Sequence, residues 1–472
     1  MNLNTRFIKL VLIAVLIVIL VIPVGYTLLT ASITINCSGT VASSNVTALS
    51  GSAPDIQAAV NTVAAAGGGT VHIPAGNFAF NPPANGIGVI IPYTNVPISI
   101  IGAGIGQTVL TETQFSGFST MFARTWSGQS YSAASVRISG ISFVGFVYAK
   151  DLPTGITDDW NTQGNNGISI ACTQDFRIDH CSFQNFCSAA IGTNANTGSI
   201  DYTTIIDRGV IDHCTFSNPY KTLCQPFNAT GVYSAIGGYD IIVVGDYYAW
   251  DSNIQDYLGH YYQFATLNST NDGNPTQLEY GAPVPQTIYI ENNNFTEYRH
   301  AISSTGGGYY VVRYNYFSMP AQYRAVDIHG NPGGSTEVGG RGLEAYGNTI
   351  DLTNESMTNG DCAAFGLRGG SGVIWNNTII IPNGGNVAEG LALGIEFNND
   401  ADRSFCLVNH LYYWNNAIEE QSGTQITEAQ SISTANYNPG LNVGYFLRAP
   451  DTTDDGFTYT PYTYPLPLTL EP

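Results

Sequence analysis

The chain has 472 residues, of which only 11% are charged, and it is rich in glycine (52) and tyrosine (29). Fifteen Lys and Arg against 35 Asp and Glu give a net charge of −20, and so acidic a surface repels nucleic acid and anionic lipid. Nucleic acid is therefore not an expected partner. Long helical heptads are absent, and this composition favours an all-β chain with many loops over an α/β enzyme.

The first 30 residues have the pattern of an export segment. Arg6 and Lys9 precede an uncharged apolar run from residue 10 to 29, and the next charge is Asp55. A positive flank before such a run predicts residues 1–30 as a transmembrane anchor, with the rest of the chain outside the cytoplasm. A cleaved signal peptide is the alternative. The expected location is the cell membrane with an extracellular C-terminal domain, or the exterior if the segment is cleaved.

Cysteines and glycosylation sequons agree with export. The chain has 8 cysteines, an even number that suits an oxidising exterior. Cys181 and Cys214 are expected in one column of neighbouring coils, either bonded to each other or as two small buried side chains. Asn-x-Ser/Thr sequons, which predict a glycoprotein, start at Asn36, Asn45, Asn228, Asn268, Asn294, Asn354 and Asn376.

A short helix is predicted where the folded domain begins. Residues 31–52 are rich in Ser, Thr and Asn without periodicity, and they are expected to be a flexible spacer. From Pro54 to Ala66, apolar residues recur with helical spacing, Asp55 lies near the N-terminus, and three glycines follow. Such a helix would cap the open end of a β-coil, which otherwise exposes unpaired strand edges.

A repeated pattern covers most of the remaining chain. A small polar residue, any residue, and then Phe or Ile recur at intervals of roughly 20 to 40 residues, which is typical of a solenoid. Small polar side chains stacked at one bend can hydrogen-bond along the stack, an arrangement that suits β-coils and not helical repeats. Residues 53–420 are therefore expected to form the solenoid and residues 421–472 a tail packed along it. The Phe and Ile positions are Phe143, Phe183, Phe216, Ile254, Phe295, Phe317, Ile350, Ile379 and Ile418.

Several segments resemble one known family. IDHCSF (178–183) and IDHCTF (211–216) are similar to a strand motif of pectate lyases, residues 53–78 to the helix, Gly-rich turn and first strand of that superfamily, and YTYPLPL (462–468) to its Tyr/Pro-rich tails. The chain thus resembles a pectin-lyase-like protein. The resemblance implies a single-stranded right-handed parallel β-helix and a polysaccharide lyase. The Arg-x-Pro-x-x-Arg stretch of pectate lyases and the Asn-Thr-Asp, Asp-Asp and Gly-His-Gly set of polygalacturonase-like hydrolases are missing, so no family catalytic residue transfers.

A second strand column is predicted between successive repeats. The central aliphatic residue of each segment points inward and its neighbours point outward. The segments include Ala235-Ile236-Gly237, Ala301-Ile302-Ser303, Asp327-Ile328-His329 and Gly366-Leu367-Arg368. Asp327, His329, Arg368 and Glu396 are therefore expected on one outer face.

Charged residues crowd into a short stretch of an otherwise weakly charged chain. Because cations outnumber carboxylates there, β-elimination is the favoured chemistry, with His300 or an Arg removing the proton beside a uronate carboxylate held by Arg313 or Arg341, and with Ca²⁺ as the candidate cofactor. Hydrolysis by paired carboxylates, Asp327 and Glu344, is a second hypothesis. A purely architectural ion network is another interpretation. The candidate catalytic residues are Arg299, His300, Arg313, Asp327, His329, Arg341 and Glu344.

Asp179 and Asp212 are the candidate metal ligands. They head the two Asp-His pairs of neighbouring coils, and two adjacent carboxylates are costly without a cation between them. The alternative is that they are bend residues bonded to the backbone. The function predicted overall is an exported polysaccharide lyase-type enzyme that cleaves or binds acidic glycans. Its rivals are a non-catalytic surface protein for carbohydrate binding, adhesion or the cell envelope, and a glycoside hydrolase.

Overall fold

The computed structural model describes residues 44–84, 86–114, 119–126, 133–146, 165–186, 188–194, 207–218, 239–244, 250–251, 256–257, 287–296, 298, 300–305, 308–318, 324–330, 342–353, 363–384, 390–395, 407–434, 438–451 and 459–470. Residues 1–30, for which the sequence predicts an anchor, lie outside these ranges. Among the residues described, no helix is long and apolar enough to cross a membrane.

The described residues form three long sheets, and successive coils add one strand to each sheet in turn. The first sheet contains β1 (Ser44–Thr47), β2 (Gly69–His72), β5 (Ile98–Ile101), β8 (Val136–Ser139), β11 (Gln174–Asp179), β14 (Arg208–Asp212), β19 (Thr287–Glu291), β22 (Tyr309–Arg313), β25 (Gly342–Tyr346), β28 (Gly370–Trp375), β31 (Val408–Trp414) and β35 (Tyr445–Phe446). The second sheet contains β3 (Gly76–Ala79), β6 (Thr108–Thr111), β9 (Ser142–Val144), β12 (Ser182–Gln184), β15 (Thr215–Ser217), β20 (Asn294–Thr296), β23 (Tyr316–Ser318), β26 (Thr349–Asp351), β29 (Thr378–Ile381), β32 (Ala417–Glu420) and β33 (Gln425–Ile426). The third sheet contains β4 (Ile87–Ile90), β7 (Ser119–Arg124), β10 (Asn165–Ala171), β13 (Ala189–Asn194), β16 (Tyr239–Val244), β21 (His300–Thr305), β24 (Arg324–Ile328), β27 (Ala363–Leu367), β30 (Leu391–Leu393) and β34 (Ile432–Ser433).

Pairing within the three sheets is parallel except for β33, which pairs antiparallel with β32 at one edge. A small antiparallel pair, β17 (Trp250–Asp251) and β18 (Asp256–Tyr257), lies apart from the sheets. Parallel strands that return to the same sheet once per coil define a parallel β-helix, so the predicted solenoid is confirmed as this fold.

The predicted Phe and Ile positions stack directly on one another in the second sheet. Phe183 pairs with Phe143 on one side and Phe216 on the other, and the ring centroids of Phe216 and Phe295 are 4.7 Å apart. Each of these rings is buried, and burying one such side chain contributes about 1.5–3 kcal/mol. Ile254 lies outside the described residues. Strand β15 pairs directly with β20, so Phe216 and Phe295 are on neighbouring rungs of the second sheet.

One bend between the first and second sheets is the same in successive coils. The bend residue has positive φ, as at His213 (53°) and Asn292 (59°), and the next residue points inward. From Asn293 onward that next residue is Asn, and its Oδ1 accepts hydrogen bonds from the backbone N–H and side-chain amide of the Asn in the coil before, as between Asn293 and Asn315 (2.9 and 3.1 Å). This ladder satisfies buried backbone groups freed by the bend. Cys181 and Cys214 occupy the same column with free, buried thiols.

A helix packs against the first strands of the described chain. Helix α1 spans Ala53–Ala65, Ser52 accepts a hydrogen bond from the backbone N–H of Asp55 as its N-cap, and Ile56 and Val60 enter the hydrophobic core. The helix contacts β1, β2, β4 and β5. Strand β1 lies inside the stretch expected to be a spacer, so the first sheet begins earlier than the sequence predicts.

The C-terminal segment continues the coil and then turns back along it. After a 3-10 helix (Glu428–Ser431), β34 and β35 extend the third and first sheets. Residues 459–470, which include a second 3-10 helix (Pro467–Leu470), run along the outer face of the first sheet and contact residues as distant in sequence as Arg177 and Glu291. That outer face is therefore covered by the tail.

Candidate active site

A group of polar side chains lies on the outward side of the third sheet, where His300 is buried and Tyr239 and Arg324 are half-buried. Tyr239 begins β16, His300 begins β21 and Arg324 begins β24. The register pairs Tyr239 with His300 and His300 with Arg324, so the three residues form one column. The rings of Tyr239 and His300 are stacked with centroids 5.7 Å apart.

A second set of side chains lies beside this column. Val326 and Ile328 enter the core, so the alternation of strand side chains turns Asp327 and His329 outward. Arg368 follows β27, and its Nη2 lies 2.6 Å from Asp327 Oδ2 and 3.0 Å from His329 Nδ1. The predicted common face for Asp327, His329 and Arg368 is confirmed, whereas Glu396 lies outside the described residues.

The strand register differs from the expected one by two residues. The sequence pattern aligns Ile302 with Ile328, but the sheet pairs Ile302 with Val326. Because side chains alternate with period two, an even shift leaves Asp327 and His329 on their predicted face. The register difference therefore does not change the prediction that Asp327, His329 and Arg368 share one outer face.

Asp327 is the buried centre of the site. Its Oδ1 accepts a hydrogen bond from Arg324 Nη1 at 3.1 Å, and its Oδ2 accepts one from Arg368 Nη2 at 2.6 Å. Burial alone would raise the pKa of Asp327, but Arg368, Arg324 and the two histidines hold that pKa well below its usual range. The side chain is therefore an ionised carboxylate. Across the core, the Tyr310 hydroxyl donates to the Asp327 carbonyl oxygen at 2.6 Å and fixes the strand from inside.

Gly366 gives Arg324 the space to reach Asp327. Strands β24 and β27 are neighbours in the third sheet, and the register pairs Asp327 of β24 with Gly366 of β27. A Cβ on Gly366 would lie 1.8 Å from Arg324 Cδ and 2.7 Å from Asp327 Oδ1. Because Gly366 has no side chain, the Arg324 side chain can cross β27 at this position and reach Asp327.

The contacts of His329 determine which of its nitrogens carries the proton. An arginine can only donate, so His329 Nδ1, at 3.0 Å from Arg368 Nη2, is the acceptor. In the neutral ring the proton is then on Nε2, which lies 3.3 Å from both the Tyr239 hydroxyl and Asp327 Oδ2. Tyr239 is only partly buried, and its hydroxyl accepts a hydrogen bond from the Nε2–H of His329. The site thus joins a phenol, an imidazole and a guanidinium through consecutive hydrogen bonds.

The cluster of His300, Asp327 and His329 does not have the ligands that Ca²⁺ requires. Ligand atoms of His300, Asp327 and His329 lie within 4.8 Å of one another, the spacing of a metal site. Two guanidinium groups already occupy both Asp327 oxygens, however, and one of them also contacts His329. Ca²⁺ takes about six to eight oxygen ligands, whereas this cluster supplies one carboxylate, Asp327, which is already bonded to two arginines. The local excess of positive charge suits an anionic group instead.

Comparison with known proteins gives similarity of fold only. No protein family model matches the sequence, and neither does any curated protein. Solved structures that are similar include an exopolygalacturonase from Thermotoga maritima, at 11% identity and a TM-score of 0.44 over 79% of this chain and 81% of that chain. They also include the mannuronan C-5 epimerase AlgE6 A-module of Azotobacter vinelandii, at 12% and 0.43 over 88% and 96%, and an alginate lyase from Paenibacillus sp. FPU-7, at 12% and 0.39 over 71% and 95%. Similarity at this level transfers no activity.

Arg313 lies on a different sheet from the site. It ends β22 on the outer face of the first sheet, where its Nε donates to Glu291 Oε2 at 2.6 Å. Its other nitrogens donate to the backbone carbonyls of Tyr462 and Thr463 in the tail. The expectation that Arg313 joins His300 in one site is corrected, because the tail buries it completely and uses its remaining donors.

Glu344 is also enclosed by the first sheet and the tail. Its Oε1 accepts a hydrogen bond from the Tyr309 hydroxyl and its Oε2 accepts one from the Tyr459 hydroxyl at 2.8 Å. It is buried and cannot face Asp327 across a substrate, so the predicted carboxylate pair is not formed. Arg299 and Arg341, the remaining candidates, lie outside the described residues.

Asp179 and Asp212 have arginine partners where the sequence predicts a metal. Arg137 binds both oxygens of Asp179 (2.9 and 3.0 Å), and Arg177 binds both oxygens of Asp212 (3.1 and 3.2 Å). Both carboxylates are fully buried, and their charges are balanced. The expectation of a Ca²⁺ site formed by these carboxylates is corrected for that reason.

Sequence reasoning missed one component of the site and undervalued two others. The sequence predicts Arg368 on the outer face, but it predicts neither Arg368 nor Arg324 as a catalytic residue. Tyr239 was missed altogether, because the pattern placed the strand of this coil at residues 235–237 and the structure places it at Tyr239–Val244. The signal in the sequence is the run of four β-branched residues in Tyr-Asp-Ile-Ile-Val-Val, which is typical of a buried strand at residues 239–244.

Proposed function

We propose that this chain is a polysaccharide lyase-type enzyme that acts on an acidic glycan at the outer face of the third sheet. The observation that carries the proposal is a single buried carboxylate between two guanidinium groups, next to a hydrogen-bonded phenol and imidazole. The proposed site residues are Tyr239, His300, Arg324, Asp327, His329 and Arg368.

The charge balance of the site supports an anionic substrate. Arg324 and Arg368 carry two positive charges against the one negative charge of Asp327, in a chain whose net charge is −20. Arg368 is 17% exposed at its side chain and Arg324 is 15% exposed, so both guanidinium groups remain within reach of a ligand. Planar guanidinium groups bind carboxylates in a defined orientation, which suits the carboxylate of a uronate residue.

The proposed step is a β-elimination. A uronate carboxylate held by Arg368 and Arg324 makes the C5 proton more acidic, and His300 removes that proton. The C5–H electron pair forms the C4–C5 double bond as the C4–O bond breaks. The Tyr239 hydroxyl donates its proton to the leaving oxygen, and His329 Nε2–H, at 3.3 Å, stabilises the resulting phenolate. Asp327 acts as a positioning residue, because it orients both arginines and contacts no substrate.

A hydrolase has less support. Retaining and inverting glycosidases use two carboxyl groups about 5–10 Å apart. Among the residues that the structure describes, Asp327 is the one carboxylate in the site, and both its oxygens are paired with arginines. The second carboxylate predicted for hydrolysis, Glu344, is enclosed elsewhere.

The location of the protein is part of the same proposal. The uncharged run from residue 10 to 29, flanked by Arg6 and Lys9, supports export with a retained membrane anchor. The polymeric substrate would then be met outside the cell.

The test is an assay of the purified full-length protein against a panel of uronate polymers. We expect an increase in ultraviolet absorbance from the unsaturated product. Tyr239→Phe should lower kcat by about 10²- to 10⁴-fold, because it removes one acid–base group, and Arg368→Lys should mainly raise KM. Tyr316→Phe is the matched control, since Tyr316 is 43% exposed on the second sheet and should behave as wild type.

Each alternative function has its own result in this assay. New reducing ends without ultraviolet absorbance would show a hydrolase and overturn the lyase. Polymer binding without any product, unchanged by Tyr239→Phe, would show a non-catalytic binding protein.

A further inference from the structure

A second group of side chains lies at the bend between the first and second sheets. Asp179 and Asp212 pair in the register, and each is followed by a histidine at the bend, His180 and His213. The two imidazole rings are stacked, with centroids 5.0 Å apart and planes within 1° of parallel. Their side chains are 57% and 47% exposed. The coil repeat therefore presents two solvent-facing imidazoles side by side.

The carboxylates behind these rings fix the tautomer of each histidine. His180 Nδ1 lies 2.9 Å from Asp179 Oδ2, and His213 Nδ1 lies 2.8 Å from Asp212 Oδ2. An ionised carboxylate only accepts, so the proton of each neutral ring is on Nδ1. Nε2 then carries the lone pair, and in both rings it makes no hydrogen bond to any residue of the described chain. A carboxylate bonded to the second nitrogen is the usual support of a metal-bound histidine.

The arginines complete this support. Arg137 and Arg177 hold the two carboxylates through paired hydrogen bonds, so the positive and negative charges behind the rings cancel. The exposed ligand atoms are consequently two neutral nitrogens. Cu²⁺, Ni²⁺ and Zn²⁺ prefer such donors, whereas Ca²⁺ prefers oxygen.

We propose that His180 and His213 together bind one divalent transition-metal ion, such as Zn²⁺, through their Nε2 atoms. The Asp179 and Asp212 carboxylates orient the ligands and do not touch the ion. This site is independent of the proposed lyase site, which lies on the third sheet.

The required movement of the rings is small. A zinc–nitrogen bond is about 2.1 Å, so two nitrogens that share one ion lie at most about 4.2 Å apart. The rings, at 5.0 Å, must therefore converge by roughly 1–2 Å at Nε2. The coil before His180 has Gly140 at the corresponding bend position, which therefore places no side chain of its own against the ring pair. Water molecules would complete the coordination of the ion.

The test is a calorimetric titration of the full-length, metal-free protein with Zn²⁺. We expect His180→Ala and His213→Ala each to weaken the site by about 100-fold, because either change turns two-point binding into one-point binding. The double variant should lose less than the sum of the two single losses, because the gain from two-point binding is lost only once. His72→Ala is the matched control, since His72 is an exposed histidine on β2 of the same sheet and should leave binding unchanged.

A second measurement guards against misfolded variants. Zn²⁺ should raise the melting temperature of the wild-type protein and of His72→Ala, and it should leave that of His180→Ala unchanged. Melting temperatures without metal report whether each variant is folded. Wild-type affinity in a folded His180→Ala or His213→Ala protein would overturn the proposal, and so would additive losses in the double variant.

Discussion

The substitution Gly366→Ala tests the architecture of the proposed site without removing a charged group. An added Cβ would lie 1.8 Å from Arg324 Cδ, 2.3 Å from Arg324 Nε and 2.7 Å from Asp327 Oδ1. Real Cβ atoms do not approach other atoms so closely, so Arg324 must leave Asp327 or β27 must move. Overpacking costs about 1–3 kcal/mol, and partial loss of a buried ion pair adds to it, so we expect a decrease of about 3 kcal/mol in the free energy of unfolding.

Urea denaturation of four variants, namely Gly366→Ala, Gly192→Ala, Arg324→Ala and the double variant Gly366→Ala/Arg324→Ala, measures this effect. Gly192→Ala is the matched control, because Gly192 lies in the same outward column and its added Cβ would meet only Ile242 Cγ2 at 3.6 Å. We expect it to be neutral or to stabilise by about 0.5 kcal/mol. Adding Arg324→Ala to Gly366→Ala should cost less than the sum of the two single changes, because the clash is already gone. Equal stability of Gly366→Ala and Gly192→Ala, or simple additivity, would refute the reasoning.

Three further predictions concern buried polar groups outside the site. Burial raises the pKa of Asp207 from 3.8 to about 7, so wild-type stability should fall by about 4 kcal/mol as the pH rises from about 4 to 7, and urea unfolding of Asp207→Asn should lack that slope. An equal slope in both proteins would contradict this. Arg313→Ala leaves Glu291 buried without its partner, so we expect a loss of about 3–5 kcal/mol and faster proteolysis of the tail; an unchanged cleavage rate would argue against this role. Asn348→Ala interrupts the Asn ladder and leaves the backbone N–H of Asn315 without its acceptor, which should lower stability by about 2–3 kcal/mol in thermal or urea unfolding, whereas a loss below about 0.5 kcal/mol would show that water replaces the ladder.

Much of the fold follows from the sequence because the repeat has a physical cause. Each coil must place one large apolar side chain under the bend and one small polar side chain in it, so Phe183, Phe216 and Phe295 are separated in sequence yet stack directly. The same rule predicts a rung between Phe216 and Phe295, but β15 pairs directly with β20. A polar residue two positions before an isoleucine also occurs by chance, and single residues carry no information about pairing.

The site could be predicted only in part, because a coil visits three sheets. Asp327 and His329 belong together since their spacing of two fixes a common face whatever the register. Crowding in the sequence, however, does not say which sheet a residue joins. Arg313 and Glu344 are close to Asp327 along the chain but lie on the first sheet, and the tail that buries them comes from more than a hundred residues away.

The distribution of paired charges separates the two outer faces by role. On the first sheet each buried arginine has its own carboxylate: Arg313 binds Glu291, and Arg177 binds Asp212. In each pair the two charges neutralise each other, and the tail covers both pairs. The pairs therefore fix the strand register and hold the C-terminal segment in place. On the third sheet two arginines share Asp327, which leaves one positive charge unbalanced in a low-dielectric setting. The anionic substrate proposed above would balance that charge at the site.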